Sequence, residues 1–243
     1  MTKDFIPKTE RINNYKDGTG VIIVAAGNSS RMGNQDKLFL PLNGKPVITY
    51  SIQAFQDTPL VNQIILVTTE NNRSQLQQLS DENEWTKITD VCIGGPRRQD
   101  SVRIGLERIL STWTIVHDGA RPVLSSRLIE DGLREAQETG AATAGIPVSN
   151  TIKRAGPDLH VLETLDRREL WVIQTPQIFR TEMIRKAHQK NDSDVTDDAT
   201  LIEKIGGVVK IFEGDPDNIK VTLSSDVAVA EAILKRKARL LSQ

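Results

Sequence analysis

Two cations, Arg31 and Lys37, lie in a loop of glycine, asparagine and serine that follows a short run of valine and isoleucine. Fixed cations and backbone N–H groups are the groups with which proteins bind polyphosphates. Three small residues, Ala25, Ala26 and Gly27, join the apolar run to the loop, so a ligand can approach the backbone there. This pattern indicates either a nucleoside triphosphate site or a strand followed by a loop with two solvated cations.

Neither of the standard phosphate-binding motifs is present. The motif G-x-x-x-x-G-K-[ST] is absent, because Gly44 and Lys45 are followed by Pro46. The motif G-x-G-x-x-G is absent as well, because Gly27 is followed by Asn28 and Ser29. The sequence therefore excludes a P-loop and disfavours a nicotinamide-dependent dehydrogenase.

Bulk composition limits the class of protein. The chain has 243 residues and a formal charge of −1, so no basic surface points to nucleic acid. No apolar run is long enough for a membrane span. The one cysteine, Cys92, is typical of a reducing compartment, and we expect a cytoplasmic protein. Residues 1–18 are polar and predict a loosely ordered extension without a signal peptide, followed by one domain over 19–243.

Apolar runs and helical periods alternate along the chain, which predicts an α/β fold with a mostly parallel, three-layer sheet. In such sheets ligands bind at the carboxyl ends of the strands. The predicted strands are 21–24, 61–68, 88–93, 113–117, 141–148, 208–212 and 219–221. The predicted helices are 46–57, 72–82, one through 102–109, one from Ser125 or Ser126 to about 140, 181–190, one opened by 196–198, and one from Ser224 or Ser225 to 241.

Residues 150–171 interrupt this alternation, because they have no helical period and contain a Gly156-Pro157 turn. They predict an inserted β-arm, an extended hairpin that needs a surface to pack on. A solvated loop on a monomer is the alternative.

Several motifs occur together in one order from about residue 20 to the C-terminus. They are A-A-G-x-x-x-R-M-G, K-L-F-L-P-L-x-G-K-P-V, and the segments at 117–122, 165–171, 174–177 and 217–222. Together they resemble the 2-C-methyl-D-erythritol 4-phosphate cytidylyltransferases, a family with a Rossmann-like nucleotidyltransferase fold in the non-mevalonate isoprenoid pathway. The resemblance implies transfer from CTP to 2-C-methyl-D-erythritol 4-phosphate, giving 4-diphosphocytidyl-2-C-methyl-D-erythritol and pyrophosphate. It further implies Mg²⁺ or another divalent cation, no organic cofactor, and a homodimer that exchanges the arm.

The same resemblance implies roles for individual residues. Arg31 and Lys37 would bind the triphosphate and stabilise the transition state, and Arg167 and Lys220 would position the acceptor phosphate. The remaining implied contacts are to the nucleotide, from Ala25, Ala26, Gly27, Gly94, Gly95 and Ser101, and to the acceptor, from Asp118, Arg121 and Thr151.

Acidic residues raise the question of a metal. Asp118 ends a predicted strand, where it can hold Mg²⁺ or substrate hydroxyls, and Asp226 is a possible second ligand. A local role in the first turn of a helix is the alternative for Asp226, and we prefer it for Asp197 and Asp198. The three histidines are too scattered for a zinc site, and His117 is expected to be structural.

Two positions depart from the family pattern. Asp36 replaces a frequent proline before Lys37, and we expect its carboxylate to face solvent. Pro96 replaces an acidic residue that some members carry after the glycine pair. Two other functions remain open: a ribitol-5-phosphate cytidylyltransferase, and a non-catalytic nucleotide-binding protein on the same fold.

Overall fold

The structure, a computed structural model, describes residues 18–27 and 36–241. The predicted extension over 1–18, except Gly18, lies outside the described residues. The strands are β1 (Thr19–Ala25), β2 (Pro41–Leu42), β3 (Lys45–Pro46), β4 (Val61–Thr68), β5 (Ile88–Ile93), β6 (Trp113–Asp118), β7 (Ala141–Pro147), β8 (Ile152–Ala155), β9 (Val161–Leu165), β10 (Trp171–Arg180) and β11 (Lys210–Glu213). Seven of them form the main sheet in the order β11-β7-β10-β6-β1-β4-β5, and only β10 runs antiparallel to its neighbours.

Helices cover both faces of this sheet, which confirms the predicted three-layer α/β architecture. They are α1 (Val47–Asp57), α2 (Glu70–Glu82), α3 (Arg98–Leu106), α4 (Ser126–Thr139), α5 (Thr181–Lys190), α6 (Ala199–Lys204) and α7 (Ser224–Leu241). None of the helices within these described ranges is long and apolar enough to cross a membrane.

The central strand β1 shows why the sheet forms. Ile23 and its neighbours on one face pack with α1, α2 and α4, whereas Ile22 packs on the other face with α3, α5 and α6. Both isoleucines are fully buried. A strand that is apolar on both faces is stable only between two layers of helices, so the unbroken run of β-branched residues determines the position of β1.

One predicted strand and the limits of two predicted helices are wrong. Residues 219–221 form no strand, because a single backbone bond, from the Val221 N–H to the Ala120 carbonyl, joins them to the sheet region. Helix α3 ends at Leu106, before Ile109. Ser224 is already the first residue of α7, and the carboxylate of Asp226 instead accepts the N–H groups that precede the helix.

The arm is a hairpin, as predicted. Strands β8 and β9 pair antiparallel and form a sheet separate from the main one. Leu159, Val161 and Leu162 of the hairpin are all more than half exposed. The arm therefore exposes apolar side chains on a two-stranded sheet, which by itself is only marginally stable.

Close packing of α3 on β1 gives a testable prediction. A Cβ atom on Gly105 would lie 2.7 Å from Cγ2 of Ile22. Gly105→Ala should therefore lower the free energy of unfolding by about 1–3 kcal/mol, whereas replacing glycine with alanine at an exposed helix position raises it by about 1 kcal/mol. Urea unfolding measures the change. Ser74→Ala on the exposed face of α2 is the control, and it should not lower the free energy of unfolding. Stabilisation by Gly105→Ala would contradict the close contact.

Candidate active site

A cleft of about 570 Å³ opens at the carboxyl ends of β1, β4, β5 and β6. This is the edge at which ligands bind in open α/β sheets. The predicted site residues that line it are Ala25, Ala26, Gly27, Lys37, Gly94, Gly95, Ser101, Asp118 and Lys220. The structure thus brings residues from four distant segments of the chain to one cavity, while Arg31 lies outside the described residues.

Lys37 enters the cleft from a short 3-10 turn, Lys37–Phe39. Asp36 caps this turn, since its Oδ1 accepts the Leu38 N–H at 3.0 Å. Its Oδ2 accepts a hydrogen bond from the amide of Asn72. The expectation that Asp36 faces solvent is therefore wrong, because the half-buried carboxylate is needed to hold the turn that carries Lys37.

Gly94 and Gly95 connect β5 to the beginning of α3. A Cβ atom on Gly94 would lie 2.4 Å from the Ala26 Cβ and 2.6 Å from the Ser101 Oγ. On Gly95 it would lie 2.4 Å from the Cβ of Asp100. Only glycine permits this approach, so both positions allow α3 to begin directly at the cleft floor.

Asp118, at the end of β6, is surrounded by three cations. Its Oδ2 lies 2.8 Å from Lys220 Nζ and 3.6 Å from Arg121 Nε, and its Oδ1 lies 3.3 Å from Arg98 Nε. Burial by itself would raise the pKa of Asp118, but the charges of Arg98, Lys220 and Arg121 outweigh it and hold that pKa well below its usual range. The carboxylate is therefore ionised at neutral pH.

Asp198 forms an ion pair with one cation of this cluster, Arg98. Its side chain is fully buried, with Oδ2 2.6 Å from Arg98 Nη1 and Oδ1 3.3 Å from His188 Nε2. Burial opposes ionisation of Asp198, yet the Arg98 charge lowers its pKa. Asp198 is the N-cap of α6, as a helix-terminal role predicts, but its side chain caps no N–H group. It pairs with Arg98 instead, since a buried carboxylate requires a paired cation. Asp197 does act locally, because it accepts the Thr200 N–H at 3.1 Å.

A second cavity, of about 380 Å³, adjoins the cleft. Thr175 and Gln177 of β10 line it together with Arg121, Thr196 and Asp197. The two cavities share one wall, which consists of Arg98, Asp118 and Lys220. The side chains of this wall plus Arg121 and Asp198 carry three cations and two carboxylates, a net charge of +1.

His117 is structural, as expected, and fully buried. Its ring meets Phe55 edge-on, with centroids 5.2 Å apart. Nε2 lies 3.3 Å from the Arg121 carbonyl and Nδ1 lies 3.1 Å from the Thr175 hydroxyl. Burial lowers the pKa of His117 to about 4, so the ring is neutral at pH 7. A carbonyl can only accept, which places the ring proton on Nε2.

The predicted arm residues lie elsewhere. Thr151 and Arg167 are exposed, and neither lines the two cavities of its own chain. Arg167 donates from Nη1 to the Ser149 carbonyl at 2.6 Å.

Asp118 and Asp226 are the two metal ligands that the sequence suggested among the described acidic residues. Within 18–27 and 36–241 no group of three or more metal-ligating side chains occurs. Asp226 is absent from the lining of both cavities, and its Oδ2 accepts the N–H groups of Thr222 and Leu223. Both oxygens of Asp118 face cations. These contacts do not support a metal held by Asp118 and Asp226 together.

Comparison with known proteins assigns the family. The model of the 2-C-methyl-D-erythritol 4-phosphate cytidylyltransferase (IspD) family matches residues 19–236. The chain belongs to this family. A cytidylyltransferase of this name from Dehalococcoides mccartyi is 43% identical over 218 residues, covering 89% of this chain and 96% of the relative. The one from Caldanaerobacter subterraneus is 41% identical, covering 88% and 98%.

Solved structures of the cytidylyltransferase family share the fold. A crystal structure of 4-diphosphocytidyl-2C-methyl-D-erythritol synthase from Anaerococcus prevotii is 26% identical with a TM-score of 0.81, covering 90% of this chain and 99% of that one. The cytidylyltransferase from Francisella tularensis is 30% identical with a TM-score of 0.75, covering 89% and 100%. The predicted nucleotidyltransferase fold is thereby confirmed.

Sequence reasoning missed Arg98 and its buried partner Asp198. One signal was available, because Arg97 is the N-cap of α3 and Arg98 is its first residue, where the helix dipole disfavours cations. Arginines at such positions require carboxylate partners. Arg97 pairs with Asp100, three residues on, and with Asp192, whereas Arg98 pairs with Asp118 and Asp198. The two partners of Arg98 could not be found from spacing, since they lie 20 and 100 residues away.

The buried imidazole predicts a pH dependence of stability. Below pH ~6.5 the unfolded chain binds a proton at His117, whereas the folded chain resists protonation down to its pKa of about 4. Stability is therefore complete above pH ~6.5 and is lost as the pH falls towards 4. Carboxylates with lowered pKa lose their contribution mainly below this window.

We expect the free energy of unfolding to fall between pH 7 and 4 by on the order of 3 kcal/mol more in the wild type than in His117→Gln. Urea titrations at several pH values measure this difference. Equal slopes for His117→Gln and wild type would show that the ring is not held neutral.

Proposed function

We propose that this chain transfers the cytidylyl group of CTP to 2-C-methyl-D-erythritol 4-phosphate. The supporting observation is a pair of adjoining cavities whose shared wall is the charged cluster of Arg98, Asp118 and Lys220. One cavity suits the nucleotide and the other the acceptor. The two phosphates then meet at the wall, where the net charge is positive.

The chemistry needs positioning more than acid–base catalysis. An oxygen of the acceptor phosphate forms a bond to the α-phosphorus of CTP. The bond from that phosphorus to the oxygen bridging the β-phosphorus breaks, and pyrophosphate leaves with the electron pair. The nucleophile is already ionised, so catalysis depends on alignment of the two anions and on neutralisation of their charge.

The proposed roles follow the two cavities. Gly94, Gly95 and Ser101 hold the cytosine and ribose, while Lys37 contacts the triphosphate together with Arg31. Ala25, Ala26 and Gly27 leave room for the phosphates at the end of β1. On the acceptor side, Lys220 contacts the reacting phosphate, and Asp118 and Arg121 contact the polyol.

A divalent cation would be bound chiefly by phosphate oxygens. Asp118 is the one carboxylate in the shared wall, and it is paired with Arg98 and Lys220. Mg²⁺ in such enzymes typically takes one or two carboxylates plus substrate phosphates. We therefore assign the expected Mg²⁺ to the CTP complex rather than to a resident site.

The arm supports a homodimer, and the cysteine content supports a cytoplasmic location. Its exposed apolar residues Leu159, Val161 and Leu162 suit a partner surface. The exposed Thr151 and Arg167 would then complete the acceptor cavity of the partner, with Arg167 binding the phosphate through a planar guanidinium. The buried, unpaired thiol of Cys92 is compatible with a reducing compartment.

Pyrophosphate release by the purified protein tests the reaction. With CTP and Mg²⁺ we expect release when 2-C-methyl-D-erythritol 4-phosphate is added. Ribitol 5-phosphate in a separate tube should give less than one hundredth of that rate. Release with ribitol phosphate alone would overturn the acceptor, and release with neither would favour a non-catalytic nucleotide-binding protein.

Mixing two inactive variants tests the contribution of the arm in trans. Lys37→Ala should lower turnover by about 10²–10³, and Arg167→Ala should be similarly impaired. Subunits refolded together form heterodimers in which one site carries both substitutions and the other carries none. About a quarter of the wild-type activity should return, because half of the dimers are mixed and one of their two sites is intact.

Arg168→Ala provides the matched control for the arm, since Arg168 is exposed and pairs with Asp166. It should retain nearly full activity alone. If the mixture of Lys37→Ala and Arg167→Ala stayed as inactive as its components, Arg167 would act within its own chain or not at all.

A further inference from the structure

A closed loop of hydrogen bonds lies beneath the acceptor cavity. The Arg121 Nη1 donates to the Asn218 carbonyl at 2.9 Å, and the Asn218 Nδ2 donates to the Thr175 carbonyl at 2.7 Å. The Thr175 hydroxyl contacts Nδ1 of His117 at 3.1 Å, and the His117 Nε2 contacts the Arg121 carbonyl at 3.3 Å. Four residues from three segments of the chain are thereby joined in a ring.

The donors and acceptors of the ring are mutually consistent. The Thr175 Oγ1 accepts the backbone N–H of Asp118 at 3.1 Å. Its own proton is then directed to Nδ1 of His117, which carries no proton in the neutral Nε2–H form. Each of the four residues donates to the next and accepts from the previous one. The His117 ring uses both of its nitrogens, so it cannot turn without breaking two bonds.

Three of the charged groups that line the acceptor cavity are attached to this ring. Asp118 follows His117 in β6, Arg121 is itself a member, and Lys220 lies two residues after Asn218. His117 and Asn218 are both fully buried, and neither lines the two cavities. They act on the site through the residues that they hold.

We propose that His117 and Asn218 are positioning residues, whose hydrogen-bonded ring with Thr175 and Arg121 fixes Asp118, Arg121 and Lys220 for the acceptor. This proposal rests on the function proposed above. Thr175 and Arg121 of the ring line only the acceptor cavity, whereas Lys37 and the Gly94–Gly95 turn line only the cleft. A break in the ring should therefore weaken acceptor binding and leave CTP binding intact.

Steady-state kinetics of two variants test the proposal. His117→Gln keeps an amide donor near the Nε2 position but removes the acceptor for Thr175, and Asn218→Ala removes the bond to the Thr175 carbonyl. Each should raise the KM of the acceptor about tenfold, the usual effect of losing one buried hydrogen bond, with the KM of CTP within about twofold of wild type. Equal changes in both KM values would overturn the proposal.

The double variant separates a ring from two independent structural defects. His117 and Asn218 have no direct bond, so independent defects would multiply to about a hundredfold in KM. If the first substitution already opens a closed ring, the second adds little. We then expect the KM of the acceptor to rise about ten- to twentyfold in the double variant. Multiplicative effects would overturn the ring.

The control removes a buried hydrogen bond from the same strand without touching the ring. Thr114 pairs with Thr181 at 2.8 Å between their hydroxyls. Thr114→Val should lower stability and keep the KM of the acceptor unchanged. A tenfold rise in this control would show that any damage to β6 produces the effect, and the proposal would fail.

A spectroscopic measurement remains decisive if the protein lacks the proposed activity. Nitrogen-15 NMR of the histidine rings distinguishes the two neutral tautomers, and His117→Gln assigns the signal. The ring requires His117 as the Nε2–H form at pH 7. The Nδ1–H form, or a charged ring, would overturn the arrangement whatever the protein catalyses.

Discussion

The site depends on one carboxylate, Asp118, which lies among Arg98, Arg121 and Lys220. Without that carboxylate, three cations would face each other across a few ångströms in a partly buried wall, and their repulsion would be weakly screened. Without the cations, the carboxylate would not remain ionised when buried. The cluster is thus stable only as a whole, and it lies where the two cavities meet.

The rest of the fold holds this cluster from several sides. The end of β6 supplies Asp118, and the beginning of α3 supplies Arg98, which the glycine pair allows to approach the cleft. The segment before α7 supplies Lys220, and the buried Asp198 anchors Arg98. Since each cation belongs to a different segment, small movements of any one would change the positive field that two anionic substrates need.

Much of this organisation could be predicted from the sequence, because it depends on local patterns. The apolar runs at β1 and β4 and the cap at Ser125 predicted elements close to those observed. Ordered motifs predicted nine of the nineteen residues that line the cleft. The prediction of a strand at 219–221 was wrong, because a short run with β-branched residues does not reveal whether a neighbouring strand edge is available to pair with it.

The ion pairs were beyond prediction for a different reason. Arg98 and Asp198 are 100 positions apart, and neither carries a periodic or spacing signal that points to the other. Their pairing depends on the three-dimensional arrangement of α3 and α6. Asp36 illustrates the same limit, since its carboxylate appeared suited to solvent yet caps the turn of Lys37.

A crystal structure with CTP and an unreactive phosphonate analogue of the acceptor tests the central claim most directly. The account predicts cytosine at Gly94 and Gly95, and the triphosphate beside Lys37. The acceptor phosphonate should lie at Lys220, in line with the α-phosphorus across the shared wall. Ligands competing for one cavity, or an acceptor bound away from Asp118, would contradict it.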